Sequence, residues 1–302
     1  MRRERIFGLI IVCAIAFVLI FSLIRVTAPL PNFSGGGNSI SLIRLEGIIG
    51  GDVLTGQSIS EDAVKTLLEE VKESSTKALL IRIDSPGGDV TTTEEIYNLL
   101  LRFKKETGRK VYVSMGGYGA SGAYYISCAA DKIFAEPSTI TGSIGVIMEF
   151  LDYSELLSKI GIKETVIKSD IYKDMGSSIR DMTDAEKQMF QSIIDEAYER
   201  FLSVVSENRH IEMNKLKDVS RGQIFTGLQA NERGLIDGVG SLEDTIDMLA
   251  KDVGIERKPV IVEHKIERSL FSILFNLSQV PEVEILKGLE PFKVQYILRI
   301  GY

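Results

Sequence analysis

The apolar segment ALLIRI, residues 78–83, constrains the fold of this chain most strongly. It is apolar on both faces, as expected for a strand of a parallel sheet that helices cover on both sides. A predicted helix over residues 90–106, a strand over 110–114 and a second helix after a glycine-rich break follow it. Strands that alternate with helices in this way predict an α/β fold with crossover connections.

Capping residues and hydrophobic spacing predict further elements. Ser58 and Glu61 form a candidate capping box before a helix, and so do Thr183 and Glu186. The second of these helices should run to about residue 207, and Gly234 should end a short helix near the end of the domain. The remaining predictions are strands over residues 39–45, 132–136 and 163–168, a short helix over 154–160, and a strand, a turn and a final helix within 221–250.

The N-terminal part of the chain differs in composition from the remainder. Residues 6–24 carry no charge, and a helix of this length at about 1.5 Å per residue crosses the core of a bilayer. It is either a retained transmembrane helix or a cleaved signal peptide. Pro29 directly follows the best cleavage site, at Ala28, so we expect a retained anchor. Arg2, Arg3 and Arg5 precede the run, which puts the N-terminus in the cytoplasm and the larger domain outside the cell membrane.

We therefore divide the chain into four parts. Residues 1–29 form a cytoplasmic stub and anchor, residues 30–38 a flexible stalk, residues 39–264 the folded domain, and residues 265–302 an apolar C-terminal tail. The net charge of the whole chain is −7. Because the predicted anchor segment is rich in arginine, the net charge of the remainder is more negative than this. An acidic domain argues against nucleic acid as a partner.

Cysteine chemistry is not expected to contribute. Cys13 lies in the predicted anchor and Cys128 in an apolar helix, so they should not form a disulfide, and Cys128 should be buried. The two histidines, His210 and His264, lie in charged segments and show no pattern that suggests a catalytic or structural partner. Neither a metal site nor a cofactor is predicted.

Ser121 is the candidate nucleophile. It lies in GGYGASGAYYISCAAD, residues 116–131, where a strand breaks into glycines before a helix begins. Helix amides near its oxygen would stabilise negative charge. Ala123 replaces the last glycine of the Gly-x-Ser-x-Gly motif of hydrolases. With no suitable histidine, the base would be a lysine. From its context alone, Lys173 is either that base or a solvated lysine paired with Asp174.

Four segments of the chain resemble, in their order, segments of the short membrane-anchored SppA-type signal peptide peptidases. They are IRIDSPGGDV, GGYGASGAYYISCAADKIFAEPSTITGSIGVIME, SDIYKDMGSSIRDMTDAEK and RGQIFTGLQANERGLID. This family implies a crotonase/ClpP-like fold and a Ser/Lys dyad. The resemblance makes Ser121 the nucleophile, Lys173 the general base and Ser143 the residue that orients the lysine. Gly88 and the amide of Gly122 become the oxyanion-hole donors. Asp84 departs from the asparagine expected there, so its carboxylate either lowers activity or points away.

The resemblance implies an endopeptidase that degrades remnant signal peptides and other apolar peptides at the membrane. It also implies a ring-like homo-oligomer in which serine and lysine pair within one subunit or between two. One alternative is an acyl-CoA thioester enzyme of the crotonase type, and another is a non-catalytic scaffold of the same fold. The apolar tail, which ends in FKVQYILRIGY, is a candidate to occupy the cleft as product or inhibitor.

Overall fold

Six parallel strands form the centre of the domain. The structure is a computed structural model that describes residues 37–51, 58–265 and 295–297. Across the sheet the order is β10, β7, β6, β4, β1, β11. The bounds are β1 Ser39–Glu46, β4 Ala78–Ser85, β6 Lys110–Ala120, β7 Lys132–Ala135, β10 Gly238–Val239 and β11 Val260–His264.

Two smaller groups of strands meet the end of this sheet where the candidate residues lie. Strand β8 (Ile140–Gly142) pairs with the last residues of β6 and with β9 (Ile224–Thr226). A separate four-stranded sheet has the order β12, β5, β2, β3. Its bounds are β2 Ile48–Ile49, β3 Ser58–Ile59, β5 Gly87–Asp89 and β12 Gln295–Ile297.

Eight helices surround these strands in the described part of the chain. Their bounds are α1 Glu61–Glu73, α2 Val90–Thr107, α3 Gly122–Ser127, α4 Ser154–Lys159, α5 Asp184–Arg209, α6 Met213–Val219, α7 Gly227–Glu232 and α8 Leu242–Asp252. Helix α5 begins with the predicted capping box of Thr183 and Glu186. The box predicted at Ser58 is wrong, because Ser58 lies in β3 and Ser60 caps α1 by accepting a hydrogen bond from the amide of Ala63.

The main sheet is buried on both faces, as the sequence predicted. Leu79 and Ile81 of β4 belong to one hydrophobic cluster, which includes residues of α1 and α2. Leu80 belongs to the other cluster, to which α8 contributes Leu249. Alternate residues of a strand point to opposite faces, so the continuous apolar run supplies two cores at once.

Three further sequence predictions concern the end of β6, a strand over residues 163–168 and a transmembrane helix. Strand β6 continues to Ala120 instead of ending at residue 114, so the glycine-rich stretch begins within a strand. The strand predicted over residues 163–168 is wrong, because these residues form neither strand nor helix. None of the described helices is long and apolar enough to cross a membrane. The predicted anchor, residues 6–24, and most of the tail lie outside the described residues.

Candidate active site

Ser121 lies at a sharp turn between β6 and α3. Its backbone angles, φ 54° and ψ −116°, are rare for a residue with a side chain, and such strain concentrates at functional sites. The strand–turn–helix context is that of a nucleophile elbow, although Ala123 departs from the usual motif. Its hydroxyl oxygen is buried and has no hydrogen-bond partner among the described residues.

Ser143 reaches the same place from the neighbouring strand. Ala120 and Gly142 are opposite each other in the parallel pair of β6 and β8, so Ser121 and Ser143 follow them side by side. The amide of Ser121 donates to the carbonyl of Gly142 over 2.8 Å. Ser143 is also buried and also has a positive φ, of 50°. Two serines in unusual backbone conformations therefore lie side by side at the ends of two adjacent strands.

The predicted oxyanion donors, Gly88 and Gly122, lie close together. A Cβ placed on Gly122 would be only 3.4 Å from the amide nitrogen of Gly88. A Cβ on Gly88 would lie 2.0 Å from the carbonyl oxygen of Ile49, so the position admits only glycine. Ser85 accepts a hydrogen bond from the amide of Gly87 and thereby holds the turn that leads to Gly88. The SPGG segment thus approaches the N-terminus of α3 backbone to backbone.

Asp84 binds backbone amides other than those of the predicted donors. Its two carboxylate oxygens accept hydrogen bonds from the amides of Gly117 and Tyr118, at 3.1 and 3.0 Å. These amides lie where the pairing of β4 with β6 shifts register, which removes their usual strand partners. A carboxylate can accept from both amides, whereas asparagine has one acceptor oxygen. The departure from asparagine therefore has a structural role in supporting the bulge.

Lys173 is exposed in the single chain. Its side chain makes no hydrogen bond or ion pair with another described residue, and the hydroxyl of Ser121 has no hydrogen-bond partner among them. Asp174, considered from the sequence as its surface partner, instead pairs with Lys168 and Arg180. The structure therefore brings Ser121, Ser143, Gly88 and Gly122 together, whereas exposed Lys173 makes no hydrogen bond to any of them.

The loop that carries Lys173 is nevertheless held in place. Arg180 binds Asp174 on one side and the buried carboxylate of Glu186, at the start of α5, on the other. Hydrogen bonds from Arg180 and from Thr183 lower the pKa of Glu186 to about 2. Charged Glu186 thus connects the loop that carries Lys173 to the capping box of the longest described helix.

Comparisons with known proteins identify the family. The model described as Peptidase family S49 matches residues 103–256, more than half of the chain, and the model described as Clp protease matches residues 41–140. The chain belongs to peptidase family S49. A putative protease of Methanocaldococcus jannaschii is 36% identical over 88% of this chain and 90% of the relative. A putative protease of Synechocystis is 41% identical over 64% of this chain and 69% of the relative.

A putative signal peptide peptidase SppA of Enterococcus faecium is also similar, with 36% identity over 74% of this chain and 64% of the relative. These findings confirm the resemblance to the SppA type and make this S49 protein a serine peptidase. The Clp protease match confirms the ClpP-like α/β fold. The family matches favour neither of the two alternatives from the sequence, an acyl-CoA thioester enzyme and a non-catalytic scaffold.

In this S49 peptidase a piece of its own tail lies in the site. Strand β12 runs antiparallel to β5, with Tyr296 opposite Gly88. On its other edge, Gln295 exchanges two backbone hydrogen bonds with Ile147, each of 3.1 Å. Because polar groups of successive residues in an antiparallel strand face opposite edges, the carbonyl of Tyr296 faces Gly88. A Cβ on Gly122 would be 3.2 Å from that carbonyl oxygen, so Tyr296 lies beside both Gly88 and Gly122.

The side chain of Tyr296 fills an aromatic pocket that sequence reasoning did not assign. Its ring stacks on Tyr125 and packs against Phe201, with centroids 5.4 and 4.8 Å away. Tyr97 meets Tyr125 edge to face at 5.2 Å. These residues come from three different helices, α2, α3 and α5, so no local pattern joins them. The sequence signal for this pocket was the presence of aromatic residues on the inner faces of these helices.

Two other sequence expectations concern titratable side chains. Cys128 is buried and free, as predicted, and burial raises the pKa of its thiol to about 12. His264 is not the unpartnered surface residue that was expected, because its Nε2 lies 3.0 Å from Ser41 Oγ and its Nδ1 lies 3.4 Å from Glu70. In the described part of the chain, no group of three or more His, Cys, Asp and Glu side chains is arranged to hold a metal ion.

Proposed function

We propose that this S49 peptidase is a membrane-anchored endopeptidase that uses a Ser121/Lys173 dyad to cut apolar peptides, remnant signal peptides among them. The observation that carries the proposal is the buried, unpartnered hydroxyl of Ser121 on a strained turn, next to the amides of Gly88 and Gly122. The name of the Enterococcus relative supports the substrate class.

The proposed reaction follows from this arrangement. Ser121 Oγ attacks the scissile carbonyl while Lys173, in its neutral form, takes the hydroxyl proton. The amides of Gly88 and Gly122 stabilise the oxyanion, and the lysine then protonates the leaving amine. Water, activated by the same lysine, releases the acyl group from Ser121. Ser143 would hold the lysine by a hydrogen bond.

We infer that the lysine comes from a neighbouring subunit. Residues 151–172, next to Lys173, expose large apolar side chains, and α4 within this segment buries none of its residues. Exposed apolar side chains concentrated in one segment are typical of an interface. The exposed apolar residues are Leu151, Leu156, Ile160, Ile162, Val166, Ile167, Ile171 and Tyr172.

The first experiment tests the nucleophile. The full chain carrying Ser121→Ala should lose roughly 10⁶-fold in kcat on an apolar peptide, as serine peptidases do when the nucleophile is removed. Ser203→Ala is the matched control, because Ser203 is exposed on α5 and its hydroxyl bonds only within that helix. If Ser121→Ala cleaves the peptide at the wild-type rate, the proposed mechanism is wrong.

The second experiment tests the shared site. Ser121→Ala and Lys173→Ala proteins should each be inactive, but mixed subunits would regain about a quarter of the wild-type activity if the dyad spans two subunits of a closed ring. A mixture that exchanges subunits and stays inactive would show that the dyad lies within one subunit.

The anchor over residues 6–24 and the extracytoplasmic domain belong to the same proposal. Their support is the uncharged run and the arginines that precede it. An anchored enzyme meets membrane-embedded peptides at a high effective concentration. A protease added to intact cells should digest the domain if it lies outside, whereas protection would contradict the predicted orientation.

A further inference from the structure

We propose that Thr141 is a positioning residue of this site: its hydroxyl ties the end of β6 to β8 and thereby fixes Ser121 relative to Ser143. The proposal rests on the peptidase function proposed above. It adds a residue outside the predicted dyad and oxyanion hole, and it gives the RGQIFTG segment, residues 221–227, a role in the same site.

Thr141 lies in the middle of β8 and is completely buried. Its hydroxyl donates a hydrogen bond of 2.7 Å to the carbonyl oxygen of Gly119, its partner in the parallel pair of β8 and β6. Ser143 and Ser121 each follow two residues later along these strands. Because water cannot replace a buried hydrogen bond of this kind, the bond holds the two strands together directly before the two serines.

The end of β6 depends on side-chain hydrogen bonds because it is rich in glycine. Its last five residues, 116–120, read GGYGA, and glycine leaves the backbone more freedom than any other residue. Asp84 binds two amides of this segment from the side of β4. Thr141 binds the carbonyl of Gly119 from the side of β8, at a point nearer to Ser121 in the chain.

The RGQIFTG segment supports β8 along its other edge. Strand β9 runs antiparallel to β8, with Phe225 opposite Thr141. The amide of Ser143 donates a hydrogen bond of 2.7 Å to the carbonyl of Gln223. A Cβ on Gly142 would lie 2.8 Å from the ring of Phe225, so this ring packs directly against the turn into Ser143. Strand β8 is thus fixed against β9, and the Thr141 hydroxyl connects it to the glycine-rich end of β6.

Positioning through the backbone matters because no described residue orients the side chain of Ser121. Its hydroxyl oxygen has no hydrogen-bond partner among the described residues, so its place depends on the turn that carries it. This turn is strained, with a φ of 54°, and such strain persists only where neighbouring structure fixes it. A nucleophile displaced by about 1 Å can lose roughly 100-fold in rate. Loss of the Thr141 hydroxyl should therefore slow the chemical step more than it weakens peptide binding.

Three variants of the full chain separate positioning from stability. Thr141→Val removes the hydroxyl and keeps the branched shape, whereas Thr141→Ser keeps the hydroxyl and removes the methyl group. Thr139→Val is the matched control. Thr139 is also buried, and its hydroxyl donates 2.6 Å to the carbonyl of Gly116, in the same strand but farther from Ser121. Each variant is compared with wild type by kinetics on an apolar peptide, by urea unfolding and by the rate at which a fluorophosphonate labels Ser121.

Thr141→Val should lower kcat by about tenfold or more with little change in KM, and should slow the labelling of Ser121 to a similar degree. Thr141→Ser should recover most of the wild-type kcat. Thr139→Val should lower the urea midpoint about as much as Thr141→Val does, because it loses an equivalent buried hydrogen bond, but it should keep its kcat.

The assignment of Thr141 is wrong if Thr141→Val keeps the wild-type kcat, if Thr141→Ser is as impaired as Thr141→Val, or if Thr139→Val loses as much kcat. The last result would mean that the hydroxyl matters only through stability. If wild type itself neither cleaves the peptide nor is labelled at Ser121, the peptidase function proposed above fails instead.

Discussion

The amide of Ser121 donates a hydrogen bond to the carbonyl of Gly142, over 2.8 Å, across the ends of β6 and β8. This bond joins the segment of the candidate nucleophile to that of Ser143. Both serines have positive φ angles, which cost of order 1–3 kcal/mol each when a side chain is present. Such strain persists only where neighbouring structure fixes it, and here the paired strands do so.

Two replacements of Ser143 separate its hydroxyl from its backbone. Ser143→Ala keeps the strain and removes the hydroxyl, whereas Ser143→Gly removes the hydroxyl and relieves the strain at φ 50°. If the hydroxyl orients Lys173, both should lower kcat by a similar factor, about tenfold or more, and alter the pH–rate profile in the same way. If only Ser143→Ala is impaired, the residue matters through its backbone.

Gly88→Ala should abolish activity by displacing the SPGG turn. The new Cβ would lie 2.0 Å from the carbonyl oxygen of Ile49, which is part of a β-strand and cannot move freely. Loss of one oxyanion donor alone costs about 10²–10³ in kcat. Gly108→Ala is the control, because nothing lies within 4 Å of its Cβ position at the end of α2.

The control protein should lose about 1–2 kcal/mol of stability, because Gly108 has a φ of 65°, and should keep its kcat. Kinetics on an apolar peptide and urea unfolding of both variants give the comparison. If Gly88→Ala keeps the wild-type kcat, the assignment of Gly88 as an oxyanion-hole donor is wrong.

Cys128 should be unreactive in the folded protein. Its thiol is buried, and burial raises its pKa to about 12, so almost no thiolate forms at pH 8. In a Cys13→Ser background, where Cys128 is the remaining cysteine, an alkylating reagent at pH 8 should label the protein only after denaturation and should leave activity unchanged. Fast labelling of the native protein would contradict the described burial.

Glu186 should make the fold sensitive to acid. Hydrogen bonds from Arg180 and Thr183 lower its pKa to about 2 in the folded state, below the ordinary value of 4.5. The folded state therefore favours the charged form, and this stabilisation is lost as the pH falls from about 4.5 through 2. Glu186→Gln should be less stable than wild type at pH 6, and the difference should shrink at pH 2.5.

Urea unfolding at both pH values measures this difference. Glu199→Gln serves as the control, because it removes the same charge from an exposed position of the same helix. A gap between wild type and Glu186→Gln that stays constant from pH 6 to pH 2.5 would show that Glu186 is not responsible.

Much of the fold was predictable because its signals are local. The two-faced apolar run of β4 indicated a covered parallel sheet, and the capping box at Thr183 located the start of α5. The strand predicted over residues 163–168 failed because this segment pairs with no described strand in the single chain. His264 was misjudged because Ser41, its partner, lies on a strand more than two hundred residues earlier.

The sequence by itself determined the family, the candidate nucleophile Ser121 and the positions of the glycine-rich segments. These depend only on residue type and on the order of the motifs along the chain. Only the tertiary structure decided that Asp84 supports a bulge, that Lys173 makes no hydrogen bond to Ser121 in the single chain, and that Tyr296 lies against Gly88. These relationships join residues on different elements. Such contacts depend on strand register and helix packing, which no local sequence pattern specifies.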